Sequence, residues 1–309
     1  MANALFCSDC VDWKLKQYNS LGSSALNLLR SFFGIALSLA SIIRRLVQSC
    51  FGVIGAELVE AMRLEWVEST KECCDRLEAE DLHLWLVCLD QPQAVCDDLA
   101  QYLSVSERER GRRFVSRELQ CRFSVGRGAL RVILARYAGL TPRALEFQYG
   151  SQGKPSLKNE LLAFNLTHSG GWAVVAIMSA GEVGVDIELL DREVDVCSLV
   201  KRYFHPREVA TIMTIDGLDL RQRAFFQHWT CKEAYLKMLG VGLTRRINEV
   251  EIKWNIDKDQ VVGIDDGCFN GALASWVCDD FSHPFCLAYA CEWATVKVKA
   301  ISWSPRLSR

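Results

Sequence analysis

Short apolar runs separated by polar turns follow one another from residue 81 onward, and they predict the strands of a mixed α+β fold. The first run is Leu82–Leu89, which Asp81 and Asp90 bound on either side, so it predicts a buried strand. The other predicted strands are Leu145–Tyr149, Phe164–Leu166, Trp172–Met178, Val183–Leu190, Val250–Trp254, Ala272–Val277, Cys286–Glu292 and Ala294–Ile301.

Apolar residues that recur every three or four positions predict the helices. Ser104–Leu140 is predicted as one long helix, with Ser106 as its cap and Gly139 at its end. Arg221–Leu239 is predicted as a second long helix that ends at Gly240. Shorter helices are predicted at Asp97–Leu103, Leu199–Phe204 and Pro206–Asp216. Each half of this region therefore contains strands around one main helix, which indicates two similar lobes.

The first 56 residues differ from the rest, with two acidic residues, five basic residues and eight serines. This composition is typical of an organelle transit peptide. Its apolar runs, Ser31–Ile43 and Leu46–Ala56, are separated by Arg44 and Arg45, and each is shorter than the ~20 residues of a spanning helix. Three interpretations of this segment stay open: a transit or anchoring segment, an ordered helical extension, or a poorly ordered tail. Residues 57–80 are predicted as a charged helix or connector.

Composition narrows the protein class and the compartment. The chain of 309 residues has a formal net charge of −2, which argues against a general nucleic-acid coat protein and against an acidic disordered chain. Most of the 14 cysteines stand alone in apolar stretches, and Cys7-x-x-Cys10 has no second pair at zinc-site spacing. We therefore expect reduced thiols and a cytoplasmic location, with a mitochondrion or plastid as the alternative. The predicted division is an extension at 1–80 and lobes at 81–180 and 181–309.

Arginine is concentrated in one stretch of this nearly neutral chain. Between Gln101 and Leu145 there are ten arginines and three acidic residues, so the local charge is 10 − 3 = +7. Such a stretch is a solvated helix face, a phosphate-binding surface or a docking surface for an acidic partner. Aromatic residues are not interleaved for base stacking, so nucleic acid is not a predicted partner.

Two acidic residues share one face of the strand Val183–Leu190. Asp186 and Glu188 lie two residues apart, roughly 6.5–7 Å along a strand, while the alternate apolar residues face the other side. Like charges in this position repel unless water or a cation screens them. Their oxygens suit Mg²⁺, so the pair predicts either a metal site or a solvated strand face.

The segment Trp229-Thr-Cys-Lys-Glu-Ala-Tyr-Leu-Lys237 places three residues on one helix face. Trp229, Glu233 and Lys237 are spaced by four. Glu233 and Lys237 form either a plain ion pair or a functional pair, in which Glu233 is a third metal ligand or a base and Lys237 contacts a phosphate.

Two nearby segments offer donors for an anion. Gly153-Lys154-Pro155 is a turn that presents Lys154, and Thr167 and His168 leave a strand towards a glycine-rich turn. Together these groups predict an anion site, with a structural histidine as the alternative.

These segments, in this order, resemble the motifs of the Sfp-type 4′-phosphopantetheinyl transferases. The segments in this chain read Gly153-Lys-Pro, Phe164-Asn-Leu-Thr-His-Ser, Val183-Gly-Val-Asp-Ile-Glu and Trp229-Thr-Cys-Lys-Glu-Ala-Tyr-Leu-Lys. The resemblance covers about residues 82–300. It implies an α+β fold of two similar α/β lobes related by pseudo-twofold symmetry, with the active site between them, and a pseudodimeric monomer. It also implies transfer of the phosphopantetheine arm of coenzyme A to a carrier-protein serine, with release of adenosine 3′,5′-bisphosphate.

The resemblance assigns roles to residues by position. Asp186, Glu188 and Glu233 would bind Mg²⁺ with the pyrophosphate, and Glu233, a metal-bound water or Glu188 would take the serine proton. Lys154, beside Pro155, and Lys237 would hold phosphates. The nucleotide end of coenzyme A would be held by Thr167, His168 and Arg110 or Arg122.

Some positions depart from the family pattern. Thr167 replaces the usual serine, Glu107 stands where some relatives have a basic residue, and the first ~80 residues match nothing in the family core.

Two other hypotheses stay open: a non-catalytic coenzyme A-binding protein of the same fold, and a membrane-associated interaction protein directed by residues 20–56. The sequence does not select among fatty-acid, polyketide, peptide-synthetase and aminoadipate-reductase (lysine biosynthesis) carriers. If the chain is the transferase, we expect it to contact neither nucleic acid nor a membrane.

Overall fold

A computed structural model describes residues 64–69, 77–241, 247–255, 260–267 and 269–305. The predictions for residues 1–56 and for the Cys7-x-x-Cys10 pair lie outside these ranges. None of the helices within the described ranges is long and apolar enough to span a bilayer.

The described residues form six α-helices and twelve strands. The helices are α1 (Gln93–Ala100), α2 (Val105–Arg112), α3 (Arg117–Ala138), α4 (Val196–Tyr203), α5 (Pro206–Met213) and α6 (Leu218–Leu239). The strands are β1 (Trp66–Glu68), β2 (Asp81–Cys88), β3 (Phe147–Tyr149), β4 (Pro155–Leu157), β5 (Ala163–Ser169), β6 (Trp172–Met178), β7 (Val183–Leu189), β8 (Glu251–Asn255), β9 (Gln260–Asp265), β10 (Ala272–Cys278), β11 (Phe285–Cys291) and β12 (Lys297–Trp303).

Two sheets packed face to face form the centre of the fold. The first has the strand order β1-β12-β2-β6-β5, and the second has the order β10-β11-β7. Alternate residues of β2 enter two different cores, because side chains of a strand point to opposite faces. Leu84 and Leu86 pack against β7 and β11 of the second sheet. Trp85 and Val87 pack against α3 on the opposite face.

Helix α6 covers the outer face of the second sheet. Its residues Ala234, Tyr235 and Met238 pack with Ala288 and Ala290 of β11. The layers therefore run α3, first sheet, second sheet, α6. This arrangement confirms the predicted α+β class with a main helix in each half.

The prediction of one long helix at 104–140 is wrong. The segment 104–140 forms two helices, since Ser104 rather than Ser106 caps α2 in a capping box with Glu107. Ser116 then starts a new helix by accepting a hydrogen bond from the Leu119 amide. Within the predicted helix or connector at 57–80, Trp66–Glu68 is a strand that pairs with β12.

The chain returns to the first sheet at its end. The predicted division at 180/181 falls between β6 and β7. Strand β12 nevertheless runs parallel to both β1 and β2. The first sheet therefore contains strands from both sides of that division.

Gly184 allows α6 to lie directly on β7. A Cβ at this position would stand 2.0 Å from the Ala234 carbonyl oxygen and 2.3 Å from the Met238 amide nitrogen. Both are backbone atoms, so no side chain can turn away to make room. The glycine thus sets the distance between the strand that carries Asp186 and the helix that carries Lys237.

The first prediction tests this close approach. We expect Gly184→Ala to lower the free energy of unfolding by about 2–3 kcal/mol, because the added methyl group must push backbone apart. The matched control is Gly126→Ala in α3, where a Cβ would lie 3.4 Å from Leu89 and helix propensity favours alanine. Urea unfolding measures both variants, and equal stability of Gly184→Ala and wild type would contradict the close contact.

His228 of α6 is a buried, neutral histidine. It lies against Phe204 and Trp254, and its Nδ1 is 2.8 Å from the Ala224 carbonyl oxygen. Burial lowers the pKa of His228 from 6.5 to about 4, and the nearby Lys232 charge acts in the same direction.

The second prediction is a pH dependence of stability. Between pH 6.5 and 4 the unfolded chain binds a proton at His228 that the native state does not, so native stability falls as the pH falls. The shift corresponds to about 3 kcal/mol across this range. We expect His228→Phe to remove this part of the slope in urea unfolding at pH 7, 5.5 and 4.5. Identical slopes for variant and wild type would contradict it.

Candidate active site

Strands β5 and β7 and helix α6 bring the predicted site residues together. Thr167 lies on β5, Asp186 and Glu188 lie on β7, and Lys237 lies on the last turn of α6. Asp186 and Glu188 are only 4 % and 6 % exposed, so the solvated strand face is ruled out. The site lies where the edge of the first sheet meets the second sheet and its covering helix.

An ion pair between Lys237 and Asp186 occupies the middle of this site. Lys237 Nζ lies 2.6 Å from Asp186 Oδ1 and 3.0 Å from Thr167 Oγ1. The Thr167 hydroxyl donates a 3.0 Å hydrogen bond to the same carboxylate oxygen, and Lys237 also donates to the Val185 carbonyl. The ammonium group is therefore held against β7 by several acceptors.

The negative charges of three carboxylates act on Lys237. Burial by itself lowers the pKa of Lys237, but the negative charges of Asp186, Glu233 and Glu188 outweigh burial and raise the pKa above its ordinary value. Lys237 is therefore protonated at neutral pH. The Glu233–Lys237 interaction on α6 is thus part of a larger charged cluster and not an isolated surface pair.

Glu188 has two partners that the sequence analysis did not single out. The Ser169 hydroxyl donates a 3.0 Å hydrogen bond to Glu188 Oε2, and Arg192 lies 2.7 Å from the same oxygen. Ser169 could have been found from strand alternation, since it shares a face of β5 with Thr167. Arg192 follows the strand in a turn, where periodicity gives no signal.

The donor set suits a hard divalent cation. Carboxylate oxygens are what Mg²⁺ prefers, and Asp186, Glu188 and Glu233 provide them from two neighbouring elements. In the described part of the chain, no three acidic, histidine or cysteine side chains converge on a single point. A cation here would share its carboxylates with Lys237 and Arg192, so the metal role of the three acids stays a prediction.

Lys154 contacts the end of α6. Its Nζ donates a 2.8 Å hydrogen bond to the Met238 carbonyl oxygen and forms an ion pair with Glu182. A cation at this place also complements the negative end of the helix dipole. Pro155 begins β4 directly after the turn. The turn therefore lies beside the last turn of α6, and a phosphate contact of Lys154 stays a prediction.

The predicted nucleotide-binding residues lie on three elements: Thr167 and His168 on β5, Arg122 on α3 and Arg110 on α2. His168 is exposed on β5, next to the buried Thr167. Arg122 makes a bidentate ion pair with Asp90, at 2.6 and 3.0 Å, close to the turn that follows β5. The Arg110 guanidinium lies 5.9 Å from the centre of the Phe123 ring. Their contact with a nucleotide is likewise a prediction.

Comparisons with known proteins identify the family of this chain. The family model of the 4′-phosphopantetheinyl transferase superfamily matches residues 182–290, a range that holds β7 and α6. The 4′-phosphopantetheinyl transferase HetI of Nostoc sp. is 42 % identical over 57 % of this chain and 75 % of its own. The chain belongs to the 4′-phosphopantetheinyl transferase family. It is an enzyme of this family, as the motif resemblance implied.

A more distant relative is also a 4′-phosphopantetheinyl transferase. The transferase Sfp of Bacillus subtilis is 26 % identical over 57 % of this chain and 78 % of its own. A solved holo-(acyl-carrier-protein) synthase of Bacillus anthracis, in complex with CoA (3′,5′-ADP), is 18 % identical with a TM-score of 0.29, covering 36 % of this chain and 93 % of its own. At that similarity the solved structure adds nothing to the assignment.

In this transferase, part of the arginine-rich stretch is used inside the fold. Glu107 is buried between Arg127 and Arg131, at 2.6 and 2.8 Å. Burial raises the pKa of Glu107, but the two arginines and the Ser104 amide outweigh it and lower the pKa below its ordinary value. Both guanidinium groups also lie about 5 Å from the Phe147 ring. These two arginines hold α2, α3 and β3 together and do not form a solvated face.

The third prediction concerns the Lys237–Asp186 pair. In metal-free buffer we expect Lys237→Met to lower the free energy of unfolding by about 3 kcal/mol, because it leaves a buried carboxylate without its cation. Adding Asp186→Asn should recover most of this loss, since the neutral amide no longer needs a cation. A double-mutant cycle by urea unfolding measures the coupling.

The control for this cycle is Lys158→Met, which removes an exposed ion pair with Glu146. We expect that variant to unfold at the wild-type urea concentration. Additive effects of the two substitutions at Lys237 and Asp186 would show that the pair is not coupled.

Proposed function

We propose that this enzyme transfers the 4′-phosphopantetheine arm of coenzyme A, with Mg²⁺, to a serine of an apo acyl or peptidyl carrier protein. The observation that carries the proposal is the cluster of Lys237 with Asp186, Glu188 and Glu233, in a chain of the transferase family. The serine oxygen forms a bond to the β-phosphorus of coenzyme A. The bond from that phosphorus to the bridging oxygen breaks, and adenosine 3′,5′-bisphosphate leaves.

Lys237 stabilises the charge that develops during this transfer. Its ammonium is held in place by Asp186 and Thr167, so its positive charge is already beside the site when negative charge builds on the bridging oxygen. Mg²⁺, held by Asp186, Glu188 and Glu233, would neutralise the phosphoryl oxygens.

A carboxylate accepts the proton of the attacking serine. Glu233 and Glu188 are the two candidates. Glu233 is partly exposed on α6, whereas Glu188 is buried and already accepts hydrogen bonds from Ser169 and Arg192. The greater exposure of Glu233 favours it as the base, because the serine of a separate carrier protein must be able to reach the group that takes its proton.

Coenzyme A binding uses groups around the cluster. Thr167, His168 and Lys154, together with Arg122 or Arg110, would contact its phosphates and nucleotide. His168 is the exposed member and lies on the same strand as Thr167. We further propose that the enzyme acts as a monomer, since one chain supplies β5, β7 and α6 of the site. Its location would be cytoplasmic, with a mitochondrion or plastid as the alternative, and the free cysteines of the described residues fit a reducing compartment.

The fourth prediction tests the transfer itself. Incubation with coenzyme A, Mg²⁺ and a panel of apo carrier proteins should add a phosphopantetheine arm to at least one carrier, as measured by intact-protein mass spectrometry. Asp186→Asn should reduce the rate at least about 100-fold, because it disrupts both the Lys237 contact and the metal ligand set. The exposed Glu146→Gln serves as a control with wild-type rate.

Two results would overturn the proposal. Wild-type enzyme that modifies no carrier in the panel, yet binds coenzyme A tightly without Mg²⁺, would identify a coenzyme A-binding protein instead. An Asp186→Asn enzyme with the wild-type rate would remove the cluster from the mechanism.

A further inference from the structure

Lys232 is a charged residue that lies next to Glu233 but takes no part in the charged cluster. It is fully buried, whereas Glu233 is partly exposed on the same helix. Its Nζ lies 2.7 Å from Glu208 Oε2, 3.0 Å from the Ile247 carbonyl oxygen and 2.5 Å from the Val250 carbonyl oxygen. An ammonium group has three N–H donors, so each donor has an acceptor.

The carboxylate of its partner Glu208 also has a hydrogen-bond donor on each oxygen. The side chain of Glu208 is 1 % exposed. Its Oε2 accepts a 2.7 Å hydrogen bond from the His205 amide, and its Oε1 accepts one of the same length from the Ile252 amide. The pair thereby joins four parts of the chain: α6, the start of α5, the segment before β8, and β8 itself.

These contacts hold α6 from the side opposite to β7. On the β7 side, Gly184 brings the strand against the backbone of Ala234 and Met238. On the other side, the Lys232 ammonium is fixed to backbone carbonyls and to Glu208. A helix held at two faces cannot roll about its axis. At ~3.6 residues per turn, a roll would move Glu233 and Lys237 together.

Stability alone does not account for such a pair. Buried ion pairs are often no more stable than apolar side chains of similar volume, because both charges must leave water. The surroundings include the Phe204 ring, 5.3 Å from Lys232 Nζ, so apolar replacements have neighbours to pack against. What an apolar pair cannot supply is a set of directional bonds at one place.

We propose that the Lys232–Glu208 pair is a positioning device that fixes the roll of α6 and thereby the placement of Glu233 and Lys237 against Asp186 and Glu188. Neither residue touches the reacting atoms. The inference rests on the proposed transfer, since its effect is read at the residues of that site.

The fifth prediction uses a double variant that keeps the volume of the pair. In Lys232→Met/Glu208→Leu, we expect a folded enzyme whose kcat falls about 10- to 100-fold, because small misplacement of reacting groups costs this much. The KM for coenzyme A should rise by a smaller factor than kcat falls, since Thr167 and His168 lie on β5 and not on α6. A residue with a structural role only would leave kcat per folded molecule unchanged.

A second readout does not depend on turnover. Mg²⁺ with coenzyme A should raise the Tm of the wild type, because a ligand that binds only the folded state stabilises it. The double variant should show a smaller rise. The matched control is Arg223→Gln/Asp279→Asn, which removes another ion pair of α6, three turns away from Glu233. Both its kcat and its Tm rise should equal those of the wild type.

The outcomes are separable. A folded double variant with kcat within about twofold of wild type and a full Tm rise would overturn the positioning role. If the double variant does not fold, Glu208→Gln, which keeps the shape and removes the charge, decides by the same two criteria. If the wild type transfers nothing to any carrier, the proposed function fails, and the Tm rise alone then tests the positioning role.

Discussion

The ion pair between Lys237 and Asp186 is the interaction on which the arrangement of the site depends. Two acids on one face of a buried strand repel each other and lose their hydration, so they need a nearby cation. Lys237 supplies it, at 2.6 Å from Asp186. This distance is available only because α6 lies directly on β7, and α6 can lie there only because residue 184 has no Cβ.

The same site is also where the two sheets are joined. Strands β5 and β7 belong to different sheets, and polar side chains connect them. Asn165 accepts a hydrogen bond from the Val185 amide, Thr167 donates to Asp186, and Ser169 donates to Glu188. These three residues of β5 are spaced two apart, so they lie on one face of the strand. They contact positions that follow one another along β7. The residues that orient the acids are therefore also residues that hold the fold together.

Much of this could be predicted from local sequence, and the exceptions have physical reasons. Strand alternation placed Asp186 and Glu188 on one face, and helical spacing placed Glu233 and Lys237 on another, because both depend on neighbours in the chain. Arg127 and Arg131 pair with Glu107, about 20 residues earlier in the chain, because α2 packs against α3. Local sequence does not show this packing, so the arginine-rich stretch predicted a positive local charge but not these ion pairs. The strands β1 and β9 show no clear alternation of apolar and polar residues, so the sequence did not predict them. Pairing with neighbouring strands stabilises both.

Charge arithmetic supports the proposed cation. Asp186, Glu188 and Glu233 carry three formal negative charges, while Lys237 and Arg192 bring two positive ones. The cluster is thus formally −3 + 2 = −1, and it would repel the pyrophosphate of coenzyme A in a poorly hydrated place, where charge interactions are strong. Adding a divalent cation makes the sum −1 + 2 = +1. A divalent cation would therefore help these five side chains to attract a polyanionic substrate, and this charge balance supports the proposed dependence on Mg²⁺.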